Sequence, residues 1–240
     1  MTTVNVQLRR REEVARGTTA FHFDRPTGFS FKAGQAVDLI LLDLPTTDAA
    51  AARHTLSIVS APFEDELVVA TRMRDSAFKR ALKALPIGAR AQLEGPFGSL
   101  TLHNDQARPA VFIAGGIGIT PFMSILRQAA KDQLQQRLVL LYSNRRPEDC
   151  AFLAELQLLE QVNGNFRLVA TMTQMSQSEL AWQGETGLFD AARLSMISAE
   201  LVAPIYYLAG PPAMVGGLRD SLNHAGVDDD DIRSEEFYGY

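Results

Sequence analysis

The segment Val111-Phe-Ile-Ala-Gly115-Gly116-Ile-Gly118-Ile-Thr120-Pro121 passes from an apolar strand through a glycine-rich turn into a helix. Thr120 suits an N-cap and Pro121 suits the first helical position. Gly115, Gly116 and Gly118 let the backbone approach a pyrophosphate, and the free N–H groups of a helix start bind it. A tight strand-to-helix turn with no ligand is the alternative. The order strand, turn, helix favours the binding reading.

Downstream, strands and helices alternate. Strands are expected at Ala110–Ala114, Leu138–Tyr142, Phe166–Thr171, Ile205–Leu208 and Ile232–Phe237, with helices at Thr120–Ala130, Glu148–Glu160 and Ala213–Ala225. That alternation predicts βαβ units and a parallel sheet. Upstream, short apolar runs at Val4–Leu8, Ala36–Leu42, Thr55–Val59, Leu67–Thr71 and Ala91–Leu93 are divided by turn signals, with one helix from Ser76 to Leu85. These predict an antiparallel barrel or sandwich. The fold expected is therefore a two-lobe α/β protein, residues 1–104 forming the β lobe and 105–240 the α/β lobe, with polar His103–Arg108 as linker.

The chain has 240 residues, 46% of them hydrophobic and 21% charged. That is the size of one large or two small domains and excludes a disordered or collagen-like chain. One cysteine, Cys150, excludes an internal disulfide and an all-cysteine zinc or iron–sulfur site. The four histidines are dispersed, so no metal site is expected. A net charge of -5 with no basic run argues against nucleic acid. Pro109–Leu126 is uncharged and close to the roughly 18 apolar residues of a membrane span. Its glycines and Pro121 break it, and the N-terminus is no secretory signal. The expected protein is cytoplasmic, inserts in no membrane, and is a monomer by default.

Four further stretches carry candidate chemistry. The second strand of the α/β lobe ends at Asn144-Arg145-Arg146, where a dinucleotide fold often has an acid that binds ribose. The arginines can pair with a 2′-phosphate, favouring NADP over NAD, or can be solvated loop residues. Gly210-Pro211-Pro212-Ala-Met214 sets another strand end against a helix start. In the β lobe, Arg53-His54-Thr55-Leu56-Ser57 leads a strand with hydroxyls at Ser57 and Ser60. Arg72-Met-Arg74-Asp75-Ser76-Ala77-Phe78-Lys79 puts a serine at a helix start among basic residues, a second anion site.

In this order, together with the G-P-x-G turn at Gly95–Gly98 and a C-terminal E-x-F at Glu235–Phe237, these motifs resemble the ferredoxin–NADP reductase family of flavoproteins along nearly the whole chain. The resemblance implies an FAD-binding β-barrel domain at 1–104 and an NAD(P)-binding α/β domain at 105–240. It implies an enzyme that moves hydride between nicotinamide and flavin and passes single electrons to a separate acceptor such as ferredoxin or flavodoxin. FAD is implied rather than FMN, although the adenine end has no sharp motif. Ser57 would hydrogen-bond the flavin, and the strand Arg53–Ser57 would line it. Arg72, Ser76 and Ala77 would bind the FAD pyrophosphate. Gly115, Gly116, Gly118, Thr120, Pro121, Asn144, Arg145, Arg146, Gly210, Pro211 and Met214 would hold the nicotinamide nucleotide. Phe237 would cover the flavin and Glu236 would serve a proton route. Three positions depart from the family pattern: His54 stands in place of arginine, Leu56 in place of an aromatic residue, and Ala209 in place of cysteine. A flavin-binding electron-transfer subunit that takes no hydride is the alternative. A nucleotide-binding regulatory module without flavin is a third reading.

Overall fold

The computed structural model describes residues 2–42 and 52–238. By internal contacts the chain divides into two units, Met1–Thr101 with Thr120–Gln128, and Leu102–Ile119 with Ala129–Tyr240.

The first unit carries six antiparallel strands: β1 (Thr2–Ala15), β2 (Thr18–Asp24), β3 (Ala36–Leu41), β4 (Arg53–Ser57), β5 (Glu66–Arg72) and β6 (Arg90–Phe97), in the order β4-β3-β6-β1-β2-β5. The 14-residue β1 is irregular between Leu8 and Arg10 and again between Glu13 and Ala15. Such bulges bend a strand, so its first half pairs with β6 and its second with β2. The sheet curls on itself. Ile58, just beyond β4, bridges Val69 of β5, and the Val59 N–H donates to the Val68 carbonyl at 2.7 Å. Inside lie Leu8, Phe21, Phe23, Leu39, Val69 and Leu93, covered by Phe78, Leu82 and Leu85 of helix α1 (Ala77–Ala84) and its cap. Each such buried side chain contributes roughly 1.5–3 kcal/mol.

The run Arg9-Arg10-Arg11-Glu12-Glu13 sits within β1 despite its charge. Arg10 pairs with Glu12 at 2.9 Å and Glu66 at 3.3 Å, and Arg9 pairs with Asp24 at 3.3 Å. β2 went unread in the sequence. Its TTAFHFD shows no clean alternation, because Phe21, His22 and Phe23 are all buried.

The second unit is a parallel sheet of β7 (Ala110–Gly115), β8 (Leu138–Asn144), β9 (Phe166–Met172), β10 (Glu185–Thr186), β11 (Ile205–Gly210) and β12 (Ile232–Glu236), in the order β10-β9-β8-β7-β11-β12. Helix α2 (Thr120–Lys131) falls with the first unit up to Gln128, and α3 (Leu153–Val162), α4 (Ala191–Ser198) and α5 (Pro212–His224) belong to the second. β7 and β11 are buried at every position, as a sheet covered on both faces requires. The chain fills the sheet outward from β7 to β10 and then crosses back to β11 on the other side of β7. The strand order therefore reverses between β7 and β11.

Two expectations need correction. The helix expected from Glu148 begins at Leu153, because Pro147–Asp149 forms a 3-10 turn and Phe152 takes a left-handed conformation at φ 61. Cys150 therefore lies outside any helix, buried in the loop. The expected linker is not a free spacer either. His103 is buried, with its N–H on the Tyr207 hydroxyl at 2.9 Å and its ring Nδ1 2.7 Å from that oxygen. Among the described residues, no helix is long and apolar enough to cross a membrane.

Two glycines of the first unit separate backbone strain from crowding. Gly34 has φ +93, and a Cβ there would lie 2.2 Å from the Leu100 carbonyl oxygen, whereas Gly28 has φ +82 with nothing within 4 Å. Gly28→Ala should cost only the left-handed penalty of about 1–2 kcal/mol, and Gly34→Ala a further ~1–3 kcal/mol of overpacking. Denaturant titration checks this, and equal losses would contradict the packing described.

Candidate functional site

The candidate residues fall into two clusters, one in each unit. In the first unit, β4 is an edge strand that pairs, among the described strands, only with β3. Side chains alternate along it. Arg53, Thr55 and Ser57 stand on one face, His54 and Leu56 on the other. Arg53 is held by two carboxylates, Asp38 at 2.5 Å and Glu94 at 2.7 Å, and Thr55 donates to the same Asp38. The guanidinium is thus neutralised on strands β3 and β6.

His54 looks the other way. Its ring lies 5.1 Å from that of Phe78, the second residue of α1. Burial, and then the charge of Lys79, lower its pKa. Ser76 caps α1 as expected, its hydroxyl accepting the Lys79 N–H at 3.2 Å. Helix geometry leaves the N–H groups of Ala77 and Phe78 ahead of the first intrahelical donor. Lys79 itself is buried, 7% exposed, and among the described residues no group accepts from its ammonium. Burial and then Arg74 lower its pKa. A lysine in the first turn opposes the helix dipole, and α1 has no acid in that turn. In the sequence Lys79 was read only as one of the basic residues around Ser76. Its position three residues after the cap was the available signal.

Ser57 is 5% exposed, and its Oγ has no hydrogen-bond partner among the described residues. Ser60, also read as a candidate hydroxyl, is satisfied: its Oγ accepts the Val68 N–H at 3.0 Å, and its carbonyl accepts from Ser124 at 2.7 Å. Arg72 closes β5 opposite Thr18.

In the second unit, Gly115 ends β7, and a 3-10 turn, Gly116–Ile119, leads straight into α2. Thr120 is therefore the first residue of the helix rather than its cap, and Pro121 follows within the first turn. The turn lies hard against the end of β11. A Cβ on Gly118 would fall 2.1 Å from the Ala209 carbonyl oxygen, and one on Gly115 2.5 Å from the Met214 sulfur. The Phe237 N–H donates to the Gly210 carbonyl at 2.9 Å, which ties the C-terminal segment to the same place. Gly115, Gly116, Gly118, Gly210, Pro211, Met214 and Phe237 are thus brought together at the carboxyl ends of β7 and β11. That is the point where the strand order reverses, and open parallel sheets bind ligands there.

Glu235 and Glu236 differ. Glu236 is exposed and accepts from the Tyr238 hydroxyl at 2.5 Å. Glu235 is half-buried, no described residue pairs with it, and burial raises its pKa. Burial of Glu235, the first residue of E-x-F, favours its protonated form.

At the end of β8, Asn144 donates to the Cys150 sulfur at 3.2 Å, and its carbonyl accepts the Thr173 N–H at 2.9 Å. Arg146 forms a two-pronged pair with the buried Asp149, at 2.8 and 3.0 Å. Glu148 accepts from the Ser178 hydroxyl at 2.9 Å and the Glu179 N–H at 3.2 Å. Arg145 is exposed, and no described residue pairs with its guanidinium.

Residues 112–220 match the model of an oxidoreductase NAD-binding domain. The chain is 26% identical to the reductase component of propane 2-monooxygenase from Rhodococcus jostii over 88% of its own length, but spans only 57% of that protein. Its fold matches that of a ferredoxin NADP+ reductase from Neisseria gonorrhoeae, solved with bound FAD and NADP, at a TM-score of 0.81 and 22% identity, covering 99% of this chain and 100% of that one. It is 31% identical to ferredoxin–NADP reductase B of Sorangium cellulosum over 209 residues, 82% of each chain. That shared length, with the glycine turn and the β4 edge in place, makes the chain a member of the ferredoxin–NADP reductase family.

Proposed function

We propose that the protein is a flavin-dependent NAD(P)H oxidoreductase that passes electrons to a separate protein acceptor. The observation that carries this reading is the buried, unpartnered hydroxyl of Ser57. Leaving a buried hydroxyl unsatisfied costs on the order of 1–3 kcal/mol, and a polar ring edge seated against β4 would offset it. The charge of Lys79, which meets no carboxylate among the described residues, with His54, the Ser76 cap and the leading amides of α1, fits an anionic pyrophosphate of the kind FAD carries. Bound flavin supplies the redox chemistry, taking a hydride from nicotinamide and releasing electrons singly.

The chain's own residues bind and orient. The hydroxyl of Ser57 fixes one edge of the flavin. Lys79 takes the part that arginine plays in the family at the position of His54. The glycine turn and the Gly210 turn hold the nicotinamide nucleotide, and Glu235 carries the proton that the E-x-F motif contributes. Support for a protein acceptor comes from relatives named as reductase components, such as that of propane 2-monooxygenase. Ferredoxin, flavodoxin and an oxygenase component are the acceptor classes.

The purified protein should be yellow, and NADPH or NADH added without oxygen should bleach it. A colourless protein that rejects added FAD would overturn the reading. A yellow protein that neither nucleotide bleaches would leave a flavin-binding electron-transfer subunit. Cofactor choice follows from Arg145 alone, because Arg146 is already committed to Asp149. Arg145→Ala should raise the KM for NADPH about tenfold, the size of one charge-assisted hydrogen bond, and leave NADH unchanged. Arg146→Ala should instead lower the melting temperature and affect both nucleotides alike. Steady-state kinetics with each nucleotide check this pair.

A further inference from the structure

Tyr142 lies in the middle of the parallel sheet with none of its surface exposed. It is flanked in register by Ala114 of β7 and Ala170 of β9, small residues that leave room for its ring. Its hydroxyl reaches two backbone carbonyls, Gly116 at 3.1 Å and Ala151 at 3.2 Å. A tyrosine has one proton to donate, so the two carbonyls share it. Burial raises its pKa well above the usual value, and the hydroxyl keeps that proton at any working pH.

Gly116 is the residue of the turn whose conformation sterics fix least. Its φ is +54, and a Cβ there would meet nothing within 4 Å. Glycine at 115 precedes it, so beyond the backbone bonds of the 3-10 turn little fixes the peptide plane that follows. The trans peptide is planar, so its carbonyl and its N–H point in opposite directions. Holding the Gly116 carbonyl on the Tyr142 hydroxyl, inside the sheet, therefore turns the Ile117 N–H away from the sheet.

We infer that Tyr142 is a positioning residue for nicotinamide-nucleotide binding: its hydroxyl sets the Gly116–Ile117 peptide plane so that the amide side of the glycine turn faces the nucleotide's phosphates. This rests on the glycine turn being the nucleotide site. The second acceptor, Ala151, extends the restraint to the loop after Arg146, so one buried hydroxyl holds both the turn and the loop that carries Arg145.

Tyr142→Phe removes only the oxygen. The expected result is a three- to tenfold rise in the KM for both NADPH and NADH, with kcat and flavin content within twofold of the parent. A merely structural role would lower flavin content or melting temperature and leave KM where it was, and that outcome overturns the inference. If the variant does not fold, amide NMR of the parent protein decides. Adding NADP+ should shift the Ile117 and Gly118 amide resonances, and unmoved resonances on a saturated protein would overturn the role. A parent protein that binds no NADP+ at all would instead bring down the nucleotide site itself. Saturable binding with an unchanged KM in the variant would remove Tyr142 alone.

Discussion

A hydroxyl taken out of water with nothing to bond to is a cost the fold carries at Ser57. The first unit builds that position deliberately in its geometry. β4 lies at the sheet edge, and the barrel closes through Ile58 and Val59 just beyond it. Ser57 is thereby pinned between a paired strand and a closure, while its Oγ meets no partner among the described residues. At the start of α1 the same unit buries most of Lys79, with no counter-ion among the described residues, against the dipole of its own helix. An unsatisfied buried hydroxyl weakens the domain by on the order of 1–3 kcal/mol.

The second unit depends on a close approach of backbone. Gly118 and the Ala209 carbonyl leave no space for a side chain between them, and Gly115 does the same against Met214. That brings two strand-to-helix turns together where the sheet changes direction. Glycine gives the closeness but also leaves the chain loose. The Tyr142 hydroxyl restores definition from inside the sheet, and the Phe237 N–H does so from the C-terminal segment.

The two-lobe plan was legible because its signals are local. An apolar run into glycines and then a helix, repeated strand and helix, and a serine ahead of an amphipathic turn each need only neighbouring residues. What stayed hidden depends on partners far along the chain. β2 is buried on both faces and so lost its alternation. The charged part of β1 is stable as a strand only because Asp24 and Glu66 lie beside it. The carboxylates that pair with Arg53, Asp38 and Glu94, lie on strands distant in sequence. Arg145 and Arg146 are equivalent in sequence, and a bond to Asp149 separates them. Glu235 and Glu236 are likewise separated only by burial along β12.

The most direct measurement compares Ser57→Ala with the parent, both stripped of flavin and then reloaded. Removing an unsatisfied donor should raise the melting temperature of the flavin-free protein, and removing the contact that satisfies it should weaken FAD binding in calorimetric titration. Opposite signs in the two states are what an orphaned hydroxyl awaiting a flavin requires. A lower melting temperature without flavin, together with unaltered FAD affinity, would contradict the account.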